Sequence, residues 1–325
     1  MRLLFCLLFA FPLFSHADST SFAEREEVQA FIAEMHQRNG FDSDELRRLF
    51  SQAESLPAVI KAILPPAEPG IRSWRAYRSR FVEPRRITAG VKFWRAHEAS
   101  LAKAEALYDI PREIIVSIIG VETIYGKYTG QFQTFSALTT LAFDYPPRAA
   151  LFRRELEALL LLAREEKLDV RDYRGSYAGA IGLPQFLPSS LRQWAVDFDK
   201  DGKIDLSSSP DDAIGSVAHF LAAHGWKKGG PILVPATAEG PDIGGLLAEG
   251  IKPQRTPEQL VQFGVSTNDA PPCPAALIDF VSPDAPTEYR LGFNNFYVIT
   301  RYNRSSYYAT AVYELAQAIK TAKAK

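Results

Sequence analysis

The 325-residue chain is 46% hydrophobic and 23% charged, a globular composition that excludes wholesale disorder. It carries 37 Lys and Arg against 38 Asp and Glu, a net charge of −1. That balance excludes the basic excess of a protein that tracks nucleic-acid phosphates, and it excludes an acidic solvating tail. At roughly 100–200 residues per domain, the length predicts two or three domains with ample core.

Arg2, the apolar run 3–14 and the small residues Ser15 and Ala17 have the pattern of a secretory signal cut before Asp18. The run is too short to span a bilayer, and no later stretch is long and apolar enough to do so. Cys6 would leave with the signal and does not follow a cut site as a lipid-attachment cysteine would. Cys273 then stands alone, so the exported chain relies on its core and not on an internal disulfide. The expected location is an exported compartment, the periplasm.

From residue 22 to about 106 the pattern is helical. Val28, Phe31, Ile32 and Met35 follow three/four spacing, as do Leu46, Leu49 and Phe50. Pro57, Pro65, Pro66, Pro69 and Gly70 punctuate this part, and residues 72–86 are rich in arginine and aromatics, a solvated helical face or a surface for a polar polymer. Residues 109–126 form the clearest helix, with Pro111 in its first turn and Gly126 at its end. Ile114, Ile115, Ile118, Ile119 and Glu122 share one side of it. Residues 151–166 form another helix. The stretch 174–188, RGSYAGAIGLPQFLP, is small and turn-rich and allows close backbone approach to a ligand. Helices are expected at 190–196 and 212–224. From 229 to 286 recurring Pro and Gly with a strand signal at Ile232, Leu233 and Val234 predict a small β module. Residues 297–300 read as extended and 306–323 as helical.

Two features carry chemistry. Glu122 ends an apolar helical stripe beside Gly120, Tyr125 and Gly126. Apolar surroundings raise a carboxyl pKa, and an acid still protonated near neutrality can protonate a leaving oxygen. The bland alternative is a solvated helix-end glutamate paired with Lys127. The second feature runs from Asp197 to Asp205. Asp197, Asp199, Asp201 and Asp205 at positions 1, 3, 5 and 9, with Gly202 at 6 and Ile204 at 8, match the first nine positions of a calcium loop. Lys203 offers its backbone carbonyl at position 7. Position 12 is Ser208 where Glu is expected, which leaves Asp211 or Asp212 to supply the last ligand; Asp197, Asp199, Asp201, Lys203 and Asp212 are the candidate set. Other chemistries do not fit. Residues 120–127 have one residue too many for a phosphate loop, and Tyr128 stands where Ser or Thr is needed. Ser176 is one place early for a nucleophile elbow. His219 and His224 lack the zinc-protease pattern, and Cys273 has no nucleophilic context. No organic cofactor is expected.

Residues 120–126 (GVETIYG), 176–186 (SYAGAIGLPQF), 212–217 (DAIGSV) and 291–306 (LGFNNFYVITRYNRSS) together closely resemble the lytic murein transglycosylase B family, glycoside hydrolase family 103. The resemblance spans nearly all of the chain after residue 17. It implies a mainly α (α+β) fold: a lysozyme-like helical core with a calcium-loop motif, a helical N-terminal domain and a small inserted β domain. The expected limits are 18–106 for the helical domain, with 306–325 as a candidate addition, 107–228 for the core with its loop at 197–212, 229–286 for the β domain, and 287–325 for the return.

That family cleaves peptidoglycan glycan strands between N-acetylmuramic acid and N-acetylglucosamine without water, leaving a 1,6-anhydro ring. The resemblance implies Glu122 as acid and then base. It implies that Ser176, Gln185 and Asn303 hydrogen-bond the sugar or its acetamido group, and that Tyr125, Tyr177, Phe186, Tyr302 and Tyr308 offer aromatic faces. Calcium is expected to be structural. Pro184 and Leu187 depart from the family pattern around Gln185, and the calcium loop is one residue longer before Asp212. A lipid anchor is not implied. The contrasting readings are a non-catalytic peptidoglycan-binding protein on the same fold and a calcium-dependent scaffold, which leaves Glu122 and the 174–188 loop unexplained.

Overall fold

The computed structural model describes residues 21–65 and 72–325. The expected signal segment 1–17 with Cys6, and Pro66, Pro69 and Gly70, lie outside the described residues. No helix among the described residues is long and apolar enough to cross a membrane. The chain divides after Glu54 into two compact units.

In the first unit, α1 (Glu26–Asn39) and α2 (Ser43–Ser51) bury the predicted stripes: Val28, Phe31, Ile32 and Met35 on one, Leu46 and Phe50 on the other. Gly40 ends α1 in the left-handed region, and the Asp42 carboxylate caps α2 by accepting from the Glu45 N–H at 2.8 Å.

The second unit begins with α3 (Pro57–Ile63), α4 (Trp74–Phe81), α5 (Pro84–Ala96) and α6 (Glu98–Tyr108). They precede α7 (Arg112–Thr123), which is buried on every side from Glu113 to Val121. It is walled by α5, α6, α11 (Pro210–Ala223) and the C-terminal α15 (Ser306–Lys323). Pro111 caps α7 and does not lie within it. The helix stops at Thr123, three residues before the expected Gly126, because Ile124, Tyr125 and Gly126 all take positive φ. Two non-glycine residues in that region cost of order 1–2 kcal/mol each, and the packing around them holds the turn.

The next elements frame a pair of loops. Strand β1 (Phe132–Gln133) leads into α8 (Thr134–Asp144), and α9 (Ala149–Glu166) packs on α8 and on α10 (Pro188–Trp194). Helix α8 is buried nearly all round, with Thr134, Ser136, Thr139 and Thr140 inside as well as Phe135, Leu138, Leu141 and Ala142 at three/four spacing. β2 (Arg174–Gly175) pairs antiparallel with β1, Phe132 opposite Gly175.

The β module is a four-stranded antiparallel sheet in the order β4-β3-β6-β5. Its strands are β3 (Leu233–Ala238), β4 (Val265–Ser266), β5 (Ala276–Ser282) and β6 (Ala285–Gly292). With α12 (Ile243–Ala248) and α13 (Pro257–Val261) it encloses Leu246, Leu260, Val265, Leu277, Leu291 and Phe293. The expected end of the module at 286 falls inside β6, whose pairing runs on to Gly292. Its two ends are stitched together by Asn295, which accepts from the Lys227 N–H and donates to the Lys227 carbonyl, both at 2.8 Å. Residues 297–300, expected to be extended, lie within α14 (Asn294–Tyr302). Their β-branched and aromatic types favour strands, but burial of Phe296, Val298, Ile299 and Thr300 along one helix decides otherwise.

Gly130 shows how tightly the loops meet. Its φ is +92°, and a Cβ there would sit 2.1 Å from the Gly175 carbonyl oxygen. Gly130→Ala combines left-handed strain with overpacking against backbone and is expected to destabilise the protein by about 3 kcal/mol. Urea unfolding of variant and wild type measures the difference.

Candidate active site

Glu122 is the penultimate residue of α7 and only partly buried as a residue, with its carboxyl withdrawn from solvent. The Tyr308 hydroxyl, in the first turn of α15, donates to its Oε1 at 2.6 Å. Tyr308 is buried, and the Ser305 hydroxyl oxygen holds its backbone by accepting its N–H. Burial pushes the Glu122 carboxyl up from 4.5 to about 7, and the Tyr308 bond pulls the other way by favouring the anion. Lys127 does not pair with Glu122; its ammonium sits over the Tyr128 ring, 5.2 Å from the centroid.

The residue after Glu122 fastens the helix end to the neighbouring loop. The buried Thr123 hydroxyl donates to the Leu183 carbonyl at 2.9 Å and accepts the Gly126 N–H at 2.9 Å. The Leu183 N–H in turn donates to the Leu206 carbonyl at 2.8 Å. One residue therefore links the end of α7 to the acidic loop.

Ser176 closes a tight turn in which its Oγ accepts the Ala180 N–H at 3.1 Å, leaving its hydroxyl proton to point elsewhere. Gln185 takes φ +52°, and its side-chain NH2 donates to the Thr129 and Gly182 carbonyls, both at 3.0 Å. Its Oε1 remains as an acceptor. Tyr302 stacks on Tyr308 with rings 6.4 Å apart and 12° between planes, and its hydroxyl donates to the Pro184 carbonyl. Asn303 is exposed just beyond α14, and Tyr177 is 39% exposed.

Of the expected sugar-facing rings, Tyr308 is buried with its hydroxyl on Glu122, and two more are placed elsewhere. Tyr125 lies between α5 and α7: its hydroxyl donates to the Arg86 carbonyl at 3.0 Å, and Gly90 and Gly120 give it room. Phe186 is buried, 5.7 Å from Phe220 and 5.8 Å from Tyr302, and is core. Conversely, Tyr77 on α4 comes near enough for the Glu122 charge to raise its pKa, second to burial. It lies in the arginine- and aromatic-rich stretch 72–86, but nothing in that pattern marks Tyr77 over its neighbours.

In the acidic loop, carboxylate oxygens of Asp197, Asp199 and Asp212 lie within 4.8 Å of one another. Asp212, in the first turn of α11, is buried and accepts the Phe198 N–H at 2.7 Å and the Asp205 N–H at 2.8 Å, so it holds both sides of the loop. Its pKa is raised, by burial first and also by the charge of Asp199. Gly202 makes the sharp turn at φ +91°. Asp201 and Lys203 are exposed and lie outside the three-carboxylate group, Asp201 accepting the Lys203 N–H at 2.9 Å. Converging carboxylates with only oxygen donors fit a hard divalent cation. A cavity of about 650 Å³ lies elsewhere, along β3 and β6 beside Tyr313, and Glu122 does not line it.

A transglycosylase SLT domain family profile matches residues 23–317. Over 313 residues the chain is 41% identical to membrane-bound lytic murein transglycosylase B of Escherichia coli K12, covering 93% of this chain and 85% of that protein. The crystal structure of soluble lytic transglycosylase SltB1 from Pseudomonas aeruginosa is 45% identical and superposes with a TM-score of 0.86, covering 92% of this chain and all of that one. The Escherichia coli lytic transglycosylase Slt35, solved in complex with calcium, is 40% identical with a TM-score of 0.84, covering 94% of this chain and 96% of that one.

The raised Glu122 pKa has a measurable consequence. Between about pH 4.5 and 7 the folded chain keeps a proton that the unfolded chain has lost. Stability is therefore highest below the unfolded value and falls as pH rises through about 7, by on the order of 3 kcal/mol in all. Glu122→Gln removes this titration. The variant is expected to be more stable than wild type at pH 8, with the advantage gone at pH 4, as read by urea unfolding at both pH values.

Proposed function

The chain belongs to the transglycosylase SLT domain family, and on that premise we propose that Glu122 alone performs the acid and base steps of a lytic cleavage of peptidoglycan. The enzyme is a peptidoglycan-cleaving lyase of mainly helical, lysozyme-like fold. One observation carries the assignment. Among the described residues, only burial and Tyr308 shift the Glu122 pKa; no second carboxylate acts on it. A hydrolytic glycosidase ordinarily flanks the bond with two carboxyl groups. A solitary acid poised near neutrality fits a reaction in which one group gives a proton and later takes one back.

In this reading the protonated Glu122 donates to the glycosidic oxygen as the bond from C1 of N-acetylmuramic acid breaks. The substrate's own acetamido oxygen stabilises C1. The Glu122 carboxylate then accepts the proton of the muramoyl 6-hydroxyl as its oxygen bonds to C1, closing the 1,6-anhydro ring. No water is consumed, and Glu122 ends protonated as it began. The Tyr308 bond fixes Oε1 and leaves Oε2 to carry the travelling proton. In this reading Ser176 and the Gln185 Oε1 would hold the acetamido group, and Asn303, Tyr177 and Tyr302 would border the glycan, while the buried Tyr308 acts through Glu122. Tyr125 and Phe186 act from behind, as packing.

The loop 197–212 is assigned a structural calcium ion. Asp197, Asp199 and Asp212 would hold it, with Asp201 and the Lys203 carbonyl completing the shell, and the ion would neutralise the converging carboxylates. Residues 1–17 would deliver the chain to the periplasm, where its substrate lies. The N-terminal helical part, the core and the inserted β module are assigned as three structural parts, with the module ending near Gly292.

Glu122→Gln is expected to abolish release of anhydromuropeptides from purified sacculi, by about 10³-fold or more, while the protein stays folded. Release at the wild-type rate, or wild-type products with reducing-end muramic acid, would refute the assignment. Calcium chelation is expected to lower the melting temperature before it alters turnover at low temperature, since an ion that binds only the folded state stabilises it by mass action. Scanning calorimetry with and without chelator reads the shift.

A further inference from the structure

Shortly after the Glu122 helix, the chain exposes an aromatic ring. Tyr128 is 60% exposed. A single exposed aromatic is ordinary, but this one is not loosely held. Its N–H donates to the Thr123 carbonyl at 2.9 Å, and the Lys127 N–H donates to the Ile124 carbonyl at 3.3 Å. The next residue, Thr129, has its carbonyl taken by the Gln185 side chain. Gly130 is pressed against the backbone of Gly175 and Ser176. Four residues in a row are thus tied to Glu122's helix, to Gln185 and to Ser176. Across the same crossing, beside Ser176, stands the second exposed ring, Tyr177. Lys127 holds its ammonium over the Tyr128 face by cation–π attraction, and it enters no ion pair among the described residues.

We propose that Tyr128 and Lys127 form a further glycan subsite, beyond the sugars joined by the bond that is cut, taking a muramoyl unit. This rests on the reading of the protein as a peptidoglycan lyase. The Tyr128 ring offers a flat apolar surface to the C–H face of a pyranose, and the hydrogen-bonded backbone beneath it means that little main-chain freedom is lost when a sugar stacks on it. The Lys127 ammonium, over one face of the ring and in no ion pair among the described residues, meets a carboxylate. In murein that carboxylate comes from the lactyl group of a muramoyl unit stripped of its peptide, or from the stem peptide where one is attached. N-acetylglucosamine carries neither.

The test uses the full chain with Glu122→Gln, so that strands bind without being cut, and titrates three ligands by calorimetry: peptide-free murein strands, peptide-bearing strands and a neutral N-acetylglucosamine hexamer. Tyr128→Ala is expected to weaken all three by about 10-fold, and Tyr128→Trp to restore binding. Lys127→Gln removes the charge, leaves a polar side chain one atom shorter, and is expected to weaken only the two carboxylate-bearing ligands, by about 5-fold. The strand that loses more identifies the lactyl or the peptide carboxylate. With Glu122 intact, Tyr128→Ala is expected to raise KM about 10-fold and leave kcat within about twofold. Unchanged binding by Tyr128→Ala overturns the subsite. So does a loss that Tyr128→Trp does not rescue and that comes with a lowered melting temperature, which marks a structural role. Equal loss of the neutral hexamer in Lys127→Gln overturns the part given to its charge. Failure of the catalytic reading appears separately, as absence of anhydromuropeptides from the wild-type digest.

Discussion

A carboxylic acid set in apolar surroundings at the end of a helix constrains everything around it. Glu122 can keep its proton near neutrality only if water and cations are held back, and it can act only if its orientation is held too. Helix α7, buried on every side up to Val121, and the packing that withdraws the carboxyl from solvent meet the first need, and α15 meets the second through Tyr308. The two helices come from distant parts of the chain, so the acid exists as such only once they have packed. The cost is borne by the folded state, which loses stability as Glu122 ionises.

The loops beside the acid inherit its rigidity. Three consecutive residues at positive φ turn the chain sharply after Thr123, and the next residues are bound to Gln185 and Ser176. Thr123 and Leu183 extend the chain of hydrogen bonds to Leu206 in the acidic loop. The proposed calcium ion thereby gains a physical route to the catalytic region without entering the chemistry. It would draw Asp197 and Asp199 toward Asp212, whose carboxylate spans the loop, and so support the backbone on which Leu183 and Thr123 meet. Site geometry of this kind depends on supporting contacts as much as on the reacting group.

The amino-acid sequence by itself determined the features that are local. The apolar stripe of α7 with Glu122 at its end, the spacing of Asp197, Asp199 and Asp201 around Gly202, and the helix 306–323 follow from residue type and period. So does the Pro- and Gly-rich texture of the β module. Tertiary structure decided what depends on partners far along the chain. Helix α8 is buried on its Ser and Thr side as well as its apolar side, and residues 297–300 become helical in an element that buries Val298, Ile299 and Thr300 together. Tyr125 and Phe186 face the core, and Tyr308, not Lys127, holds Glu122. Spacing along a chain records which residues share a face; it does not record what that face meets, and an aromatic ring or a carboxyl takes its chemistry from what it meets.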